Sequence, residues 1–323
     1  MTFPIRRRVA VLAAGLLVLA GPAAADRPPL RVLLPVSAGS GVDTIVRAAA
    51  PALAKALGDQ SVIIENLPGA GGITGTAALV KAAPDGNTIA FVSNNHAVNP
   101  SVYKKMPYDS LTDITPITVV GATPFVLVVN PKNLPAKNVQ ELVALLKARP
   151  GGYNFASSGN GTIIHLADEM FVDAAGVDAK HIPYKGVGPM LADLIGGQVD
   201  FGVAAVPAVQ GHLKNGSLRA IGVMGRARVP SLPDVPTIAE QGLPDVDIAG
   251  WFAVIGPAKL PPVEVKRLHD AVVAAFATPE VSQAMTRQDN IVNPTTPEAA
   301  AQYFRTEQQR YARLVKKANI TLD

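Results

Sequence analysis

The sequence predicts an α/β protein, and two observations predict it. Short apolar runs of strand length alternate with helical stretches through most of the chain, and several strand-to-helix junctions are built from glycine and small hydroxyl residues. Such alternation gives parallel sheets covered by helices on both faces. With 323 residues and 48% hydrophobic content, the chain can bury more than one core and should divide into about two domains.

Residues 1–25 stand apart from the fold. Arg6, Arg7 and Arg8 give a basic start, 9–19 an apolar run, and Ala23, Ala24 and Ala25 a small-residue cleavage site before Asp26. This is a secretory signal, cleaved after about Ala25. The run is too short for a membrane-spanning helix, and no cysteine follows that could carry a lipid anchor. The three arginines also admit a twin-arginine route, which their neighbours do not strengthen. The whole chain has 29 basic and 25 acidic residues, a net +4; the signal removes three Arg and no acid, leaving 26 against 25, or +1. A nearly neutral chain without a Lys/Arg stripe interleaved with aromatics is not a nucleic-acid binder. Zero cysteines exclude disulfides, thiolate metal sites and cysteine nucleophiles, and an exported cysteine-free chain suits a bacterial periplasm.

The elements then follow in order. Leu30 to Leu34 is an apolar strand that breaks at Pro35, and a helix runs over 44–57. A second strand at 60–64 leads through the turn 65–72 into a helix ending near Lys81, so the β-turn-α unit repeats. Turn chemistry at 83–86 precedes a strand at 88–92, whose polar tip is Ser93, Asn94, Asn95 and His96. Open α/β sheets bind ligands at such carboxyl ends, which makes Asn94 a candidate. Residues 108–120 give no clear pattern. Phe125 to Val129 is a strong strand, 138–148 a helix with Leu142, Leu145 and Leu146 on one face, 153–156 a strand, and 163–175 a helix. A helix at 190–195, strands at 199–203 and 218–223, and a turn-rich stretch marked by Pro230, Pro233, Pro236 and Pro244 lead to a strand at 251–255. Helices at 261–277 and 297–318 close the chain, with Thr278 and Thr296 placed as caps.

Two loops carry the candidate chemistry. Ser37, Ala38, Gly39, Ser40, Gly41, Val42 and Asp43 lie between the first strand and its helix. The first N–H groups of a helix have no internal partner and sit at the positive end of its dipole, so this loop can hold an anion. Gly39 and Gly41 supply two glycines of G-x-G-x-x-G, but Thr44 takes the third place, although Glu65 sits where a ribose-binding acid would. No Lys-Ser/Thr follows, so the P-loop pattern fails. Dinucleotide binding, a purely structural turn and a carboxylate cradle all remain open at this point. Asp43 is read as a brace for the loop's N–H groups, since its charge would repel a bound anion. The second loop, Ser157, Ser158, Gly159, Asn160, Gly161 and Thr162, offers a further set of backbone donors and short polar groups, or else is an ordinary connection. Together the loops suit two carboxylates, or both oxygens of one, without a buried cation.

Catalysis finds no motif: there is neither G-x-S-x-G nor H-E-x-x-H, and the five histidines have no ligand spacing. His165 alone lies beside a candidate loop, as a packing residue or facing the ligand. Tyr184 and Lys185 are read as lining the cleft.

Several motifs together resemble the Bug family, the periplasmic solute receptors of tripartite tricarboxylate transporters. They are 35–43, Glu65-Asn66-x-Pro68-Gly69-Ala70-Gly71-Gly72, Asn99-Pro100-x-x-Tyr103-Lys104, Pro107-Tyr108-Asp109, 155–161, His165-Leu166, Pro183-Tyr184-Lys185-Gly186, 196–200, Pro230-x-Leu232-Pro233-Asp234-Val235-Pro236-Thr237 and Trp251-Phe252. The resemblance implies a type II periplasmic-binding-protein fold, two α/β lobes joined by two crossover segments with the ligand cleft between them. Domain one would be 26–124 plus 250–323 and domain two 125–249. It implies a ligand carboxylate gripped between 37–43 and 157–162, largely by backbone amides and water, with Ala205 at the end of a domain-two strand nearby. Many relatives carry an aromatic residue where Val36 stands, so that wall is expected to be wider. Residues 203–206 contain no acid to pair with an ammonium group, which favours a plain organic acid over an amino acid. The expectation is a periplasmic, monomeric binding protein without metal or cofactor that delivers its ligand to the membrane subunits of such a transporter. Signalling to a membrane sensor, or hydrolysis in the cleft, are the alternatives.

Overall fold

The computed structural model describes residues 27–317. The secretory-signal reading, residues 1–25, lies outside them. In chain order, β1 (Leu30–Leu34), α1 (Gly41–Ala56), β2 (Val62–Asn66), a 3₁₀ turn (Ala70–Gly72), α2 (Ile73–Val80), β3 (Thr88–Ser93), α3 (Asn95–Val102) and β4 (Ile114–Thr123) begin the first lobe. The second contains β5 (Phe125–Val129), α4 (Val139–Ala148), β6 (Asn154–Ser157), α5 (Ile163–Ala175), β7 (Lys180–Pro183), α6 (Val187–Gly196), β8 (Phe201–Ala205), α7 (Val206–Lys214) and β9 (Arg219–Val223). The chain then returns to the first lobe through β10 (Gly250–Pro257), α8 (Pro262–Ala277), α9 (Pro279–Arg287), β11 (Ile291–Val292) and α10 (Pro297–Lys317).

Two sheets result, ordered β11-β4-β10-β3-β1-β2 and β7-β6-β8-β5-β9. Strands β3, β5 and β10 are buried along almost their whole length, as strands covered on both faces must be. The sheets are mixed, which corrects the expectation of parallel pairing throughout. β1 pairs in parallel with β2 and β3, and β6 with β7 and β8, but β10 runs antiparallel to β3 and β4, and β5 to β8 and β9. The cause is topological. β4 ends at the cleft and only Pro124 separates it from β5, so the chain enters the second sheet at its cleft end and runs against the neighbouring strands. β10 does the same on the way back.

The pattern-poor stretch before residue 120 is β4. Pro116 denies it the look of a strand, yet it sits where the register against β10 slips between Val254 and Ile255, a place where a missing N–H is tolerated. Helices α3 and α7 were also not legible, each having a proline within its first two turns. Thr296 caps α10 by accepting from Ala299 N at 3.3 Å. Thr278 precedes α9 without such a bond; its hydroxyl donates back to Ala275 O at 2.9 Å.

Asn94 ties the returning segment down. Its side chain accepts from Trp251 N at 2.9 Å and donates to Ala249 O at 3.0 Å and Tyr311 Oη at 2.6 Å. That buried amide joins β3, the start of β10 and the final helix, which sets where the two lobes meet.

Candidate functional site

The cleft holds two chambers that share part of their lining. The inner one, about 70 Å³, lies between the start of α1 (Ser40, Gly41, Val42) and the start of α5 (Ile163, Ile164), with Thr123, Trp251 and Ala205 among its other walls. The outer one, about 410 Å³, is lined by Val36 and Ser37, the turn 68–72, Ser158, Gly159 and Thr162, and 184–187. Val36, Asn95, Ser158 and Val187 face both.

Each helix start is shaped by its own loop. Ser40 caps α1, its Oγ accepting from Asp43 N at 3.2 Å. The buried Asp43 carboxylate accepts from Gly39 N at 3.0 Å, Arg47 Nε at 2.9 Å and Asn66 Nδ2 at 2.9 Å. Burial works against its charge, but the bonds from Arg47, Gly39 and Asn66 prevail and hold the carboxyl below the usual carboxylate range. Asp43 is the brace the sequence indicated, with its oxygens turned into the loop. Replacing it with alanine orphans the Gly39 N–H and two side chains, so Asp43→Ala should lower unfolding free energy by roughly 1–3 kcal/mol in a urea titration.

On the other side, Thr162 caps α5 by accepting from His165 N at 3.3 Å. The loop's glycine N–H groups, expected to face a ligand, are committed internally: Gly159 N donates to Ser157 Oγ at 3.2 Å and Gly161 N to His165 Nδ1 at 3.1 Å. What faces the inner chamber is the start of the helix itself. At α1 likewise, Gly41 and Val42 are the first helical residues, whose N–H groups have no carbonyl one turn back to bond.

Of the residues nominated from sequence, Ser37, Ser158, Gly159, Thr162, Tyr184 and Lys185 line the outer chamber, and Ser40, Gly41, Val42, Asn94, Ser158 and Ala205 the inner one. Asp43, Ser157, Gly161 and His165 are buried behind these walls, whereas Ala38, Gly39 and Asn160 are exposed and line neither chamber. Asn94 has its amide fully engaged in the tie described above, and the Tyr184 hydroxyl donates to Asp193 at 2.8 Å. Sequence reasoning missed the 68–72 wall, Asn95 and Val187. The first had a visible signal: it is a third glycine-rich strand-to-helix turn, at the end of β2, beside the first. Asn95 had none, because its role depends on the far lobe.

Two side chains of the first lobe reach backbone N–H groups of the second across the cleft. Ser37 Oγ accepts from Val187 N at 3.0 Å and Gly188 N at 3.4 Å, and Asn95 Oδ1 accepts from Ile163 N at 2.7 Å. Side chains of the first lobe thus cap helices α6 and α5 of the second. The charge lining is one-sided: Lys185 is the charged side chain on the outer chamber, and no carboxylate lines either chamber among the described residues. Among those residues there is also no group of side chains able to hold a metal ion, and no helix long and apolar enough to cross a membrane.

Residues 45–320 match the model of the tripartite tricarboxylate transporter family receptor. The chain belongs to that family. It is 36% identical over 309 residues to protein BugT of Bordetella pertussis, covering 94% of each chain. The structure of the periplasmic binding protein BugD superposes with a TM-score of 0.87 at 31% identity, over 91% of this chain and 98% of that one. R. palustris Rpa4515 with adipate gives the same TM-score, 0.87, at 31% identity and the same coverage, 91% and 98%. Membership in this receptor family bears out the resemblance to the Bug proteins and the two-lobed binding-protein fold.

Proposed function

We propose that the protein is a periplasmic solute-binding receptor that captures a small organic dicarboxylate between its lobes and delivers it to the membrane subunits of a tripartite tricarboxylate transporter, without chemically altering it. The observation that carries this reading is the pair of helix starts, α1 and α5, converging on one small chamber that no acid lines. Two positive helix ends at one chamber favour one carboxylate there. The larger outer chamber leaves room for a short chain, and Lys185 stands at its wall to pair with a second carboxylate. An amino acid fits poorly, since its ammonium group would meet no partner. The domains are 26–124 with 250–323, and 125–249; the protein acts as a monomer, and residues 1–25 are the export signal. Family relatives that bind carboxylates, adipate among them, support the ligand class.

A thermal-shift screen tests the reading. Succinate, malate, glutarate and adipate should raise the melting temperature, since a ligand at 100 times its Kd adds about 2.7 kcal/mol of apparent stability. Stabilisation by phosphate or glutamate alone, or turnover of a bound acid seen by mass spectrometry, would overthrow it. Lys185→Met should weaken a dicarboxylate roughly 2- to 5-fold, an exposed charge pair being worth up to about a kilocalorie per mole, and leave a monocarboxylate unchanged. Equal losses for both ligands would remove Lys185 from the second-carboxylate role.

A further inference from the structure

Behind the loop 157–162, away from the chambers, two imidazoles lie face to face. The rings of His165 and His181 are 3.8 Å apart between centroids and 9° from parallel, and Phe155 stacks beside them at 6.4 and 5.0 Å. Each ring holds one end of the loop. His181 Nε2 lies 2.6 Å from Ser157 Oγ, and His165 Nδ1 accepts the Gly161 N–H at 3.1 Å. Because Nδ1 accepts, the His165 proton sits on Nε2, which faces Glu169 Oε1 at 3.3 Å.

We propose that His165 is a positioning residue for ligand binding: with His181 stacked on it, its neutral ring fixes the loop that leads into α5, and uptake of a proton by the pair loosens that loop and weakens carboxylate binding. This inference rests on the reading of the cleft as a carboxylate site. A second proton on His165 can only go to Nδ1, where its N–H would oppose the Gly161 N–H and break the bond. A proton on His181 places a cation face to face with the other ring, and makes Ser157 Oγ accept where it could otherwise donate. The surroundings oppose charge on His181, which burial and then the neighbouring His165 push down to about 4. Glu169, one turn along α5, is a titratable group that faces the pair, its Oε1 3.3 Å from His165 Nε2. Strand β6 presents Phe155 and Ser157 to the rings, and burial pushes the carboxyl of Asp168, next along α5, well above the ordinary carboxylate range.

Asparagine can place its carbonyl oxygen near the position of Nδ1 but cannot titrate, whereas phenylalanine keeps the stack and loses the acceptor. With adipate as probe, calorimetry from pH 8 to pH 5 should show the wild-type Kd rising roughly 5- to 10-fold, the worth of about one hydrogen bond. His165→Asn should give a flat profile over that range whatever its absolute Kd, and His165→Phe should bind weakly throughout. The ligand's own ionisation cancels in these comparisons. Glu169→Gln should move the wild-type profile to lower pH. A His165→Asn profile that follows wild type, or a wild-type Kd that does not change, overturns the proposal. A ligand-free NMR titration separates this from failure of the carboxylate reading: the Gly161 amide resonance should shift with the titration of the two imidazoles even if adipate does not bind, and an amide that stays fixed also overturns the proposal.

Discussion

Gly41→Val is expected to weaken carboxylate binding about 100-fold while leaving the protein folded. A Cβ on Gly41 would lie 2.8 Å from the Cβ of Ala205 across the cleft, closer than two such atoms approach. Neither side can give way easily, because Gly41 opens α1 and Ala205 ends β8, both fixed by their own lobes. The lobes must therefore stand further apart. If the closed form falls to about 1% of the population, the apparent Kd rises about 100-fold. Gly41 does not have a left-handed backbone, so the parted form bears no strain, and melting temperature should change little. A Kd within threefold of wild type, measured by calorimetry, would show that the lobes do not close as described. Gly39, two residues earlier, behaves differently: its φ is +78° with open space around it, so valine there strains the loop backbone by about 1–2 kcal/mol rather than meeting the other lobe.

The second large effect is loss of stability in mild acid, traced to His96. This ring is fully buried against Phe304, with Nε2–H donating to Ser110 O at 2.8 Å, and burial pushes its pKa down to about 4 from the ordinary 6.5. Between those values the unfolded chain takes up a proton that the folded protein refuses, so stability present above pH 6.5 is lost as pH falls toward 4. The loss reaches on the order of 3 kcal/mol for this residue alone. His181 acts with the same sign. Asp168 acts with the opposite sign, because burial raises its pKa and favours folding in acid. The clean measurement is therefore the difference between wild type and His96→Phe in urea unfolding free energy at pH 7 and pH 4.5. The gap should narrow by roughly a proton's worth, up to about 1.4 kcal/mol per pH unit, and parallel curves would refute the assignment.

Much of the fold was legible because its strands are short apolar runs and its helices carry local stop and start signals. Ile163–Ala175 could be read to the residue, since Thr162 caps one end and Gly176 turns left-handed at the other. β4 could not, because what makes it a strand is β10, more than a hundred residues away, and its own proline argues against it. The site divided in the same way. That small-residue loops precede α1 and α5 is written locally, but the direction of each N–H is decided by side chains such as Asp43, Ser157 and His165, which claim some of the donors. Asn95 shows the limit: nothing near it in sequence says that it caps a helix of the opposite lobe.

Those cross-lobe caps at Ser37 and Asn95 change how binding strength should be understood. On the proposed reading, closing the cleft exchanges water on the backbone N–H groups of Ile163, Val187 and Gly188 for protein oxygens. Each such exchange contributes only about 0.5–1.5 kcal/mol net. Part of the grip is therefore protein on protein, independent of the cargo. A measured affinity would then report the cargo's share together with this fixed share, and unloading would require these bonds to be parted whichever solute is inside.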